Sequence, residues 1–287
     1  MASNHEIRQR VTNEIIEALE SRGCPWHMPW SPSRNTGFPT NVITRRRYSG
    51  VNPLLLQIAA LERGFHSKWW GNVEEWASLG GQVKGCGTAI VLREINGERH
   101  AATMPLLREH VVFSADQVEG VEQYQPQAPK VDVQPDFEPA ERVIAATGAD
   151  IREVDAGKAW YFYPPNDYIE LPPRSSFIFG IGGVKGWYDT AFHELCHWSE
   201  PRLGWNGGYA LNEMRAEMGA GFIAAAIGIP SYGPTNHHFN HVDAWVAALR
   251  DDHRTIFRVS RAASAVVKFL LSFSRAEQSQ DREEVSA

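Results

Sequence analysis

The sequence is poor in cysteine. Cys24, Cys86 and Cys196 are too few among 287 residues, and odd in number, for a disulfide framework. That points to a reducing compartment, the cytoplasm. The opening residues MASNHEIRQR lack an apolar stretch, so no secretory signal is expected. Long hydrophobic runs are missing too. The weakly polar stretch from Met218 to Pro230 is far too short to span a bilayer, so no membrane partner is expected. There is no overall excess of positive charge: 28 Lys+Arg against 34 Asp+Glu leaves a net of −6, which argues against a general polyanion binder. Low-complexity composition is also absent. With 43% hydrophobic and 22% charged residues, the chain can bury a full core and is neither disordered nor collagen-like.

What is present is unevenly placed. Residues 1–118 carry 13 Lys+Arg against 11 Asp+Glu, a net of +2, whereas residues 119–287 carry 15 against 23, a net of −8. Five of the ten Trp (Trp26, Trp30, Trp69, Trp70, Trp76) lie in the first 76 residues. Two regions of opposite charge suggest two domains with different partners.

Local signals divide the chain in the same way. Ser3 and Glu6 have capping-box spacing, Ile7, Val11, Ile15 and Leu19 recur every fourth residue, and Gly23 supplies a stop, so a first helix is expected there. Asn52–Pro53 reads as a cap and first turn for a helix through Arg63. Asn72 and Glu75 repeat the capping box. Strands are expected over 88–95 and 98–104 around the hairpin dipeptide Asn96–Gly97, with a third over 109–114. Four prolines and four glutamines between Glu119 and Pro139 read as a linker. Beyond it, a helix is expected near 137–146 and strands over 151–154, 159–163 and 168–171. Helices follow over 187–199, 209–227, 242–250 and 255–273. The expected division is a domain over 1–118, a linker over 119–135, a second domain over 136–274 and a disordered polar tail over 275–287. The fold class is α+β: helices plus a small sheet first, then a mostly helical domain with a small sheet.

The sharpest chemical signal is His193-Glu194-Leu195-Cys196-His197. On a helix, residues four apart share a face, so both imidazoles can reach one ion while Glu194 is placed to take a proton from a water bound to it. Catalytic zinc usually has a third protein ligand and an open fourth position. Glu213 and Glu217 lie four apart on the next expected helix; one can ligate the ion and the other can orient a ligating histidine. The glycines at 204, 207 and 208 let the chain turn back between the two helices. Cys196 sits off the histidine face and reads as a small core residue. Zn2+ is the expected ion, and Mn2+ or Co2+ also suit two histidines and a glutamate. A transition-state donor is sought in the cluster His237, His238 and His241, with His238 as the candidate.

The first region carries a plausible nucleic-acid footprint. Arg45, Arg46 and Arg47 adjoin Tyr48, and Lys68 adjoins Trp69 and Trp70, pairing cations for phosphates with flat rings for bases. Arg45, Arg46, Arg47, Tyr48, Lys68 and Trp69 are therefore candidates for binding DNA, and Trp70 reads as core. Lys84 joins them from a glycine-rich turn whose amides can approach a phosphate. The glycine-rich run from Phe179 to Gly186 lacks a Walker ending and is read as a connection, not a phosphate loop.

These residues carry a family resemblance. In the C-terminal half the pattern runs Asp167-x-Ile-x-Leu-Pro, then His193-Glu-Leu-Cys-His-Trp198, then Tyr209-Ala-x-x-Glu213-x-x-Ala-Glu217 and on through Trp245 to Arg258. In the N-terminal half it runs Pro25-Trp, Pro29-Trp30, Pro39-x-Asn41, Tyr48-x-Gly50-x-Asn52-x-Leu54-Leu55 and Gly80-Gly-x-Val-Lys84-Gly. In this order they resemble the ArdC-type antirestriction proteins, which are akin to the N-terminal part of TraC-type plasmid primases. The resemblance implies a domain that binds single-stranded DNA, a zincin-like metallopeptidase domain, carriage by conjugative plasmids and protection of incoming DNA from restriction. It implies His193, His197 and Glu213 as zinc ligands, Glu194 as general base and, by what remains, Glu217 as the orienting acid. Two departures stand out: Asn212 where the family has a second acid, and Cys196 where a smaller residue is usual. A dedicated metalloprotease whose first domain recognises a protein substrate is the alternative reading.

Overall fold

The computed structural model describes residues 3–26, 35–85, 89–95, 106–126, 137–155, 157–177, 183–229 and 241–285. Helix α1 (Asn4–Arg22) starts on the expected capping box: the Ser3 hydroxyl accepts from the Glu6 amide at 3.2 Å, and the Ser3 amide donates to Glu6 Oε2 at 2.7 Å. Its apolar stripe, Ile7, Val11, Ile15 and Leu19, is buried. Strand β1 (Thr40–Asn41) follows, then helix α2 (Asn52–Arg63). Asn52 does not cap α2. Val51 holds the cap position, and the Asn52 side chain clamps the Leu92 backbone instead, donating to its carbonyl at 2.9 Å and accepting from its amide at 2.7 Å. A buried strand offers its unpaired backbone a stronger demand for a partner than a helix start does.

Strand β2 (Trp69–Gly71) leads to the short helix α3 (Val73–Ser78), whose Asn72 and Glu75 form the second expected box. Strands β3 (Gln82–Val83), β4 (Ala89–Ile95), β5 (Leu106–Ser114) and β6 (Val118–Glu119) complete this half. One sheet has the order β1-β2-β5-β4 and a second ribbon pairs β3 with β6. The antiparallel partner of β4 is β5, with Ile95 opposite Leu106. The expected strand over 98–104 and the Asn96–Gly97 turn lie outside the described residues.

The expected linker is corrected at its start. Glu119 pairs with Gln82, Val121 is fully buried beside Val118 and Phe113, and the Tyr124 ring meets those of Trp69 and Trp76. Proline and glutamine content hides two apolar residues, Val121 and Tyr124, whose packing is enough to fasten the segment. The rest, 127–136, lies outside the described residues.

In the second half, helix α4 (Glu138–Ala146) precedes a three-stranded sheet of β7 (Asp150–Glu153), β8 (Trp160–Phe162) and β9 (Tyr168–Leu171) in the order β7-β9-β8. Among the described residues four helices follow: α5 (Val184–Leu203), α6 (Tyr209–Ile227), α7 (Val242–Asp251) and α8 (Thr255–Val285). Residues 275–285, expected as a disordered tail, continue α8. Helices α5 and α6 pack closely because Gly219 has no side chain: a Cβ there would lie 2.7 Å from Cys196 Sγ. Cys196 is fully buried at this crossing, and burial pushes its thiol up to about 12.

The two halves share one hydrophobic core. Phe38 meets Phe222 edge-on at 5.2 Å, and Trp26 meets Trp245 at 5.6 Å. A Cβ at Gly221 would lie 2.6 Å from the Trp26 carbonyl oxygen, so only glycine admits this approach. Arg47 donates to the Ala226 carbonyl at 2.6 Å, near the end of α6. Among the described residues, no helix is long and apolar enough to cross a membrane.

Candidate functional site

The site is built at the α5–α6 crossing. Helical spacing places His193 and His197 on one face of α5 and Glu213 and Glu217 on the facing side of α6. The His193 and His197 Nε2 atoms are 3.1 Å apart, and they lie 3.4 and 3.6 Å from the two oxygens of Glu213. One donor atom from each of these three residues lies within 4.8 Å of the others, the one such cluster among the described residues.

Each imidazole is held from behind by a buried carboxylate. Glu217 Oε1 is 3.2 Å from His193 Nδ1, and Glu200 Oε1 is 2.9 Å from His197 Nδ1. With a proton on each Nδ1, both Nε2 lone pairs face the same point. A divalent cation between them would satisfy both lone pairs and the carboxylate at once. A tetrahedral ion with ligand bonds of about 2.0–2.1 Å sets its donors about 3.3–3.4 Å apart, close to the spacing seen. The donor set therefore fits a divalent ion.

Electrostatics follow from the burial. Burial works against the charged form of His193, but its hydrogen bonds to Glu213 and Glu217 outweigh it and hold the imidazole well above its ordinary range. Burial likewise works to raise Glu213, yet the two imidazoles bring it below the usual carboxylate value. Glu194 lies beside the cluster, buried, and accepts a hydrogen bond from the Tyr161 backbone; burial pushes its carboxyl up. These groups line a cavity of about 620 Å³ walled by Trp160, Tyr161, Tyr163 and Tyr209.

Of the expected donors, His241 lines this cavity, 4.0 Å from Glu213. His238 and His237 lie outside the described residues. Sequence reasoning missed Glu200, Tyr163 and Asn212. Glu200 had a readable signal: it is three residues beyond His197 and seven beyond His193, on the same helix face.

The DNA-binding candidates separate. Arg45 lies over the rings of Trp69 and Tyr124 at 4.6 and 5.1 Å and donates to the Tyr124 hydroxyl at 3.0 Å. Lys68 lies 5.1 Å from the Trp69 ring, so Arg45, Lys68, Trp69 and Tyr124 form one cation–aromatic cluster. Arg46 is exposed next to it. Arg47 instead reaches α6, Tyr48 packs partly buried against the cluster around Leu56 and Trp70, and Lys84 pairs with Glu119 at 3.0 Å. Trp70 is core, as expected. Tyr124 was hidden in the supposed linker.

Comparison with known proteins agrees with this layout. Residues 5–113 match the N-terminal domain of anti-restriction factor ArdC, and residues 138–264 match a zincin-like metallopeptidase family. A DNA primase TraC of Escherichia coli is 30% identical over 98% of this chain, although the chain spans only 28% of that protein's length. An uncharacterized protein, y4eC of Sinorhizobium fredii (strain NBRC 101917 / NGR234), is 29% identical, with 92% of this chain and 91% of that one covered. The metal-free crystal structure of the antirestriction ArdC protein from plasmid R388 superposes with a TM-score of 0.76 at 29% identity, covering 94% of this chain and 98% of that one. Its Mn(II)-bound structure gives 0.73 at 30%, covering 93% and 98%.

Proposed function

The chain belongs to the ArdC antirestriction family, and on that premise we propose that it binds single-stranded DNA and protects incoming mobile-element DNA from restriction, with a metal-dependent, peptidase-like C-terminal half. The observation that carries the second part is the convergence of His193, His197 and Glu213 within 4.8 Å. These three residues would hold the ion. Two imidazoles and one carboxylate suit Zn2+, and equally Mn2+ or Co2+. A bound divalent cation supplies Lewis-acid polarisation of a carbonyl and acidification of water.

The chain's own residues do the rest. Glu194, with its carboxyl raised by burial, is suited to take a proton and return it to a leaving group. Glu217 orients His193. A histidine of the His238 segment, or His241 on the cavity wall, is the candidate donor to developing negative charge. On the other half, Arg45, Arg46 and Lys68 would meet phosphates while Trp69, edged by Tyr124, offers an aromatic surface. Arg47, Tyr48 and Lys84 are weaker candidates because they lie apart from that cluster: Arg47 is tied to α6, Tyr48 packs toward Leu56 and Trp70, and Lys84 pairs with Glu119.

Titration of labelled single-stranded DNA at rising salt tests the DNA reading. Affinity should fall with a slope near −0.7 per phosphate neutralised. Salt-independent binding, or equal affinity for duplex, contradicts it. The 620 Å³ cavity at the metal cluster favours a second reading, a dedicated protease whose first half recognises a protein substrate. Equal protection of DNA in cells by wild type and Glu194→Gln excludes proteolysis as the means of protection.

A further inference from the structure

Glu200 is more heavily engaged than an orienting residue for one histidine needs to be. It is 2% exposed, on the last turns of α5. Oε1 accepts from His197 Nδ1 at 2.9 Å, with the Arg215 guanidinium 3.8 Å away. Oε2 accepts from the Tyr163 hydroxyl at 2.5 Å and from the Asn212 amide at 3.2 Å. A carboxylate removed from water is costly unless its lone pairs are satisfied. Here the satisfying groups come from α5, from α6 and from the segment after β8. Arg215 is itself fully buried, and its Nη1 and Nη2 donate to the Cys196 carbonyl and the Ser199 hydroxyl, which holds the guanidinium beside Glu200.

We infer that Glu200 is a positioning residue of the metal centre: it holds His197 with its proton on Nδ1 and its Nε2 lone pair turned toward His193 and Glu213, and so sets the affinity for the divalent ion. Tyr163 and Asn212 hold Glu200 in place. This rests on the reading of His193, His197 and Glu213 as a cation site. Glu200 touches no reacting group; its effect passes through His197. Tyr163 also lines the cavity and is 44% exposed, so one anchor of the metal centre lies on the surface that a cavity occupant would touch.

The test uses the full chain, stripped with chelator, and titrates Zn2+, and Mn2+ in parallel, against a chromophoric competitor for wild type, Glu200→Gln and Tyr163→Phe. Circular dichroism and single-stranded-DNA affinity serve as readouts of the fold. Glu200→Gln should weaken zinc binding about 10–100-fold, the range for loss of an outer carboxylate, with DNA affinity unchanged. Tyr163→Phe should weaken it several-fold. Zinc affinity of Glu200→Gln within twofold of wild type overturns the inference. If Glu200→Gln does not fold, Tyr163→Phe decides, and unchanged affinity there overturns it. Wild type that binds neither Zn2+ nor Mn2+ in this titration overturns the cation site itself and this inference with it.

Discussion

The two halves of the molecule arrange their polar residues in opposite ways. At the α5–α6 crossing, charged side chains are withdrawn from water and each is held by another: His193 by Glu217, His197 by Glu200, Glu200 by Tyr163 and Asn212. On the N-terminal half, Arg45 and Arg46 are exposed and Lys68 is half-buried, with Arg45 and Lys68 lying over the Trp69 ring. An ion site needs lone pairs fixed to within a few tenths of an ångström, which burial and paired hydrogen bonds supply. A phosphate surface needs cations that stay solvated until the ligand arrives. Substitutions of the residues that would ligate the ion should therefore act nearly all-or-none, and those among the exposed cations by degrees.

The largest expected effect sharpens that contrast. Glu194→Gln should lower any casein hydrolysis by the metal-loaded protein by about 10²–10⁴-fold, the usual contribution of a general base, while bound metal and DNA affinity stay at wild-type values. Loss of DNA affinity in that variant would break the separation of the two regions. Next is the shared core. Gly221→Ala drives a Cβ against the Trp26 carbonyl and should cost about 1–3 kcal/mol, read as a lower melting temperature with a single transition for both halves. Two separated transitions would show that the halves unfold independently.

The graded region comes third and fourth. Trp69→Ala should weaken single-stranded-DNA binding by the ~1–3 kcal/mol typical of one stacked base and leave metal content alone. Lys84→Ala, whose cation already pairs with exposed Glu119, should change DNA affinity by no more than about twofold, within the small range of surface ion pairs. A larger loss for Lys84 than for Trp69 would move the DNA surface away from the Arg45 cluster.

The same contrast explains what could be read from residue order alone. Helical periodicity is a local property, so α1, α6 and the i, i+4 pairs His193/His197 and Glu213/Glu217 are visible directly. Two capping boxes were equally plain because three-residue spacing encodes them. Partnerships across the fold were not. Asn52 had every local feature of a cap, and only β4, forty residues later, takes its side chain away. Tyr124 looked like linker because proline and glutamine surround it; what anchors it is Trp69 and Trp76, fixed by earlier elements. Glu200 lies one residue beyond the expected helix over 187–199, and its partners Tyr163 and Asn212 come from the turn after β8 and from α6.

The most direct test of the metal centre is the metal content of the purified full chain, wild type beside His197→Ala, after loading with Zn2+ or Mn2+ and removal of excess. One ion per wild-type chain and none on His197→Ala, with both proteins folded, is the predicted result. An ion retained by His197→Ala, or none on wild type, would contradict the assignment of His193, His197 and Glu213 as its ligands.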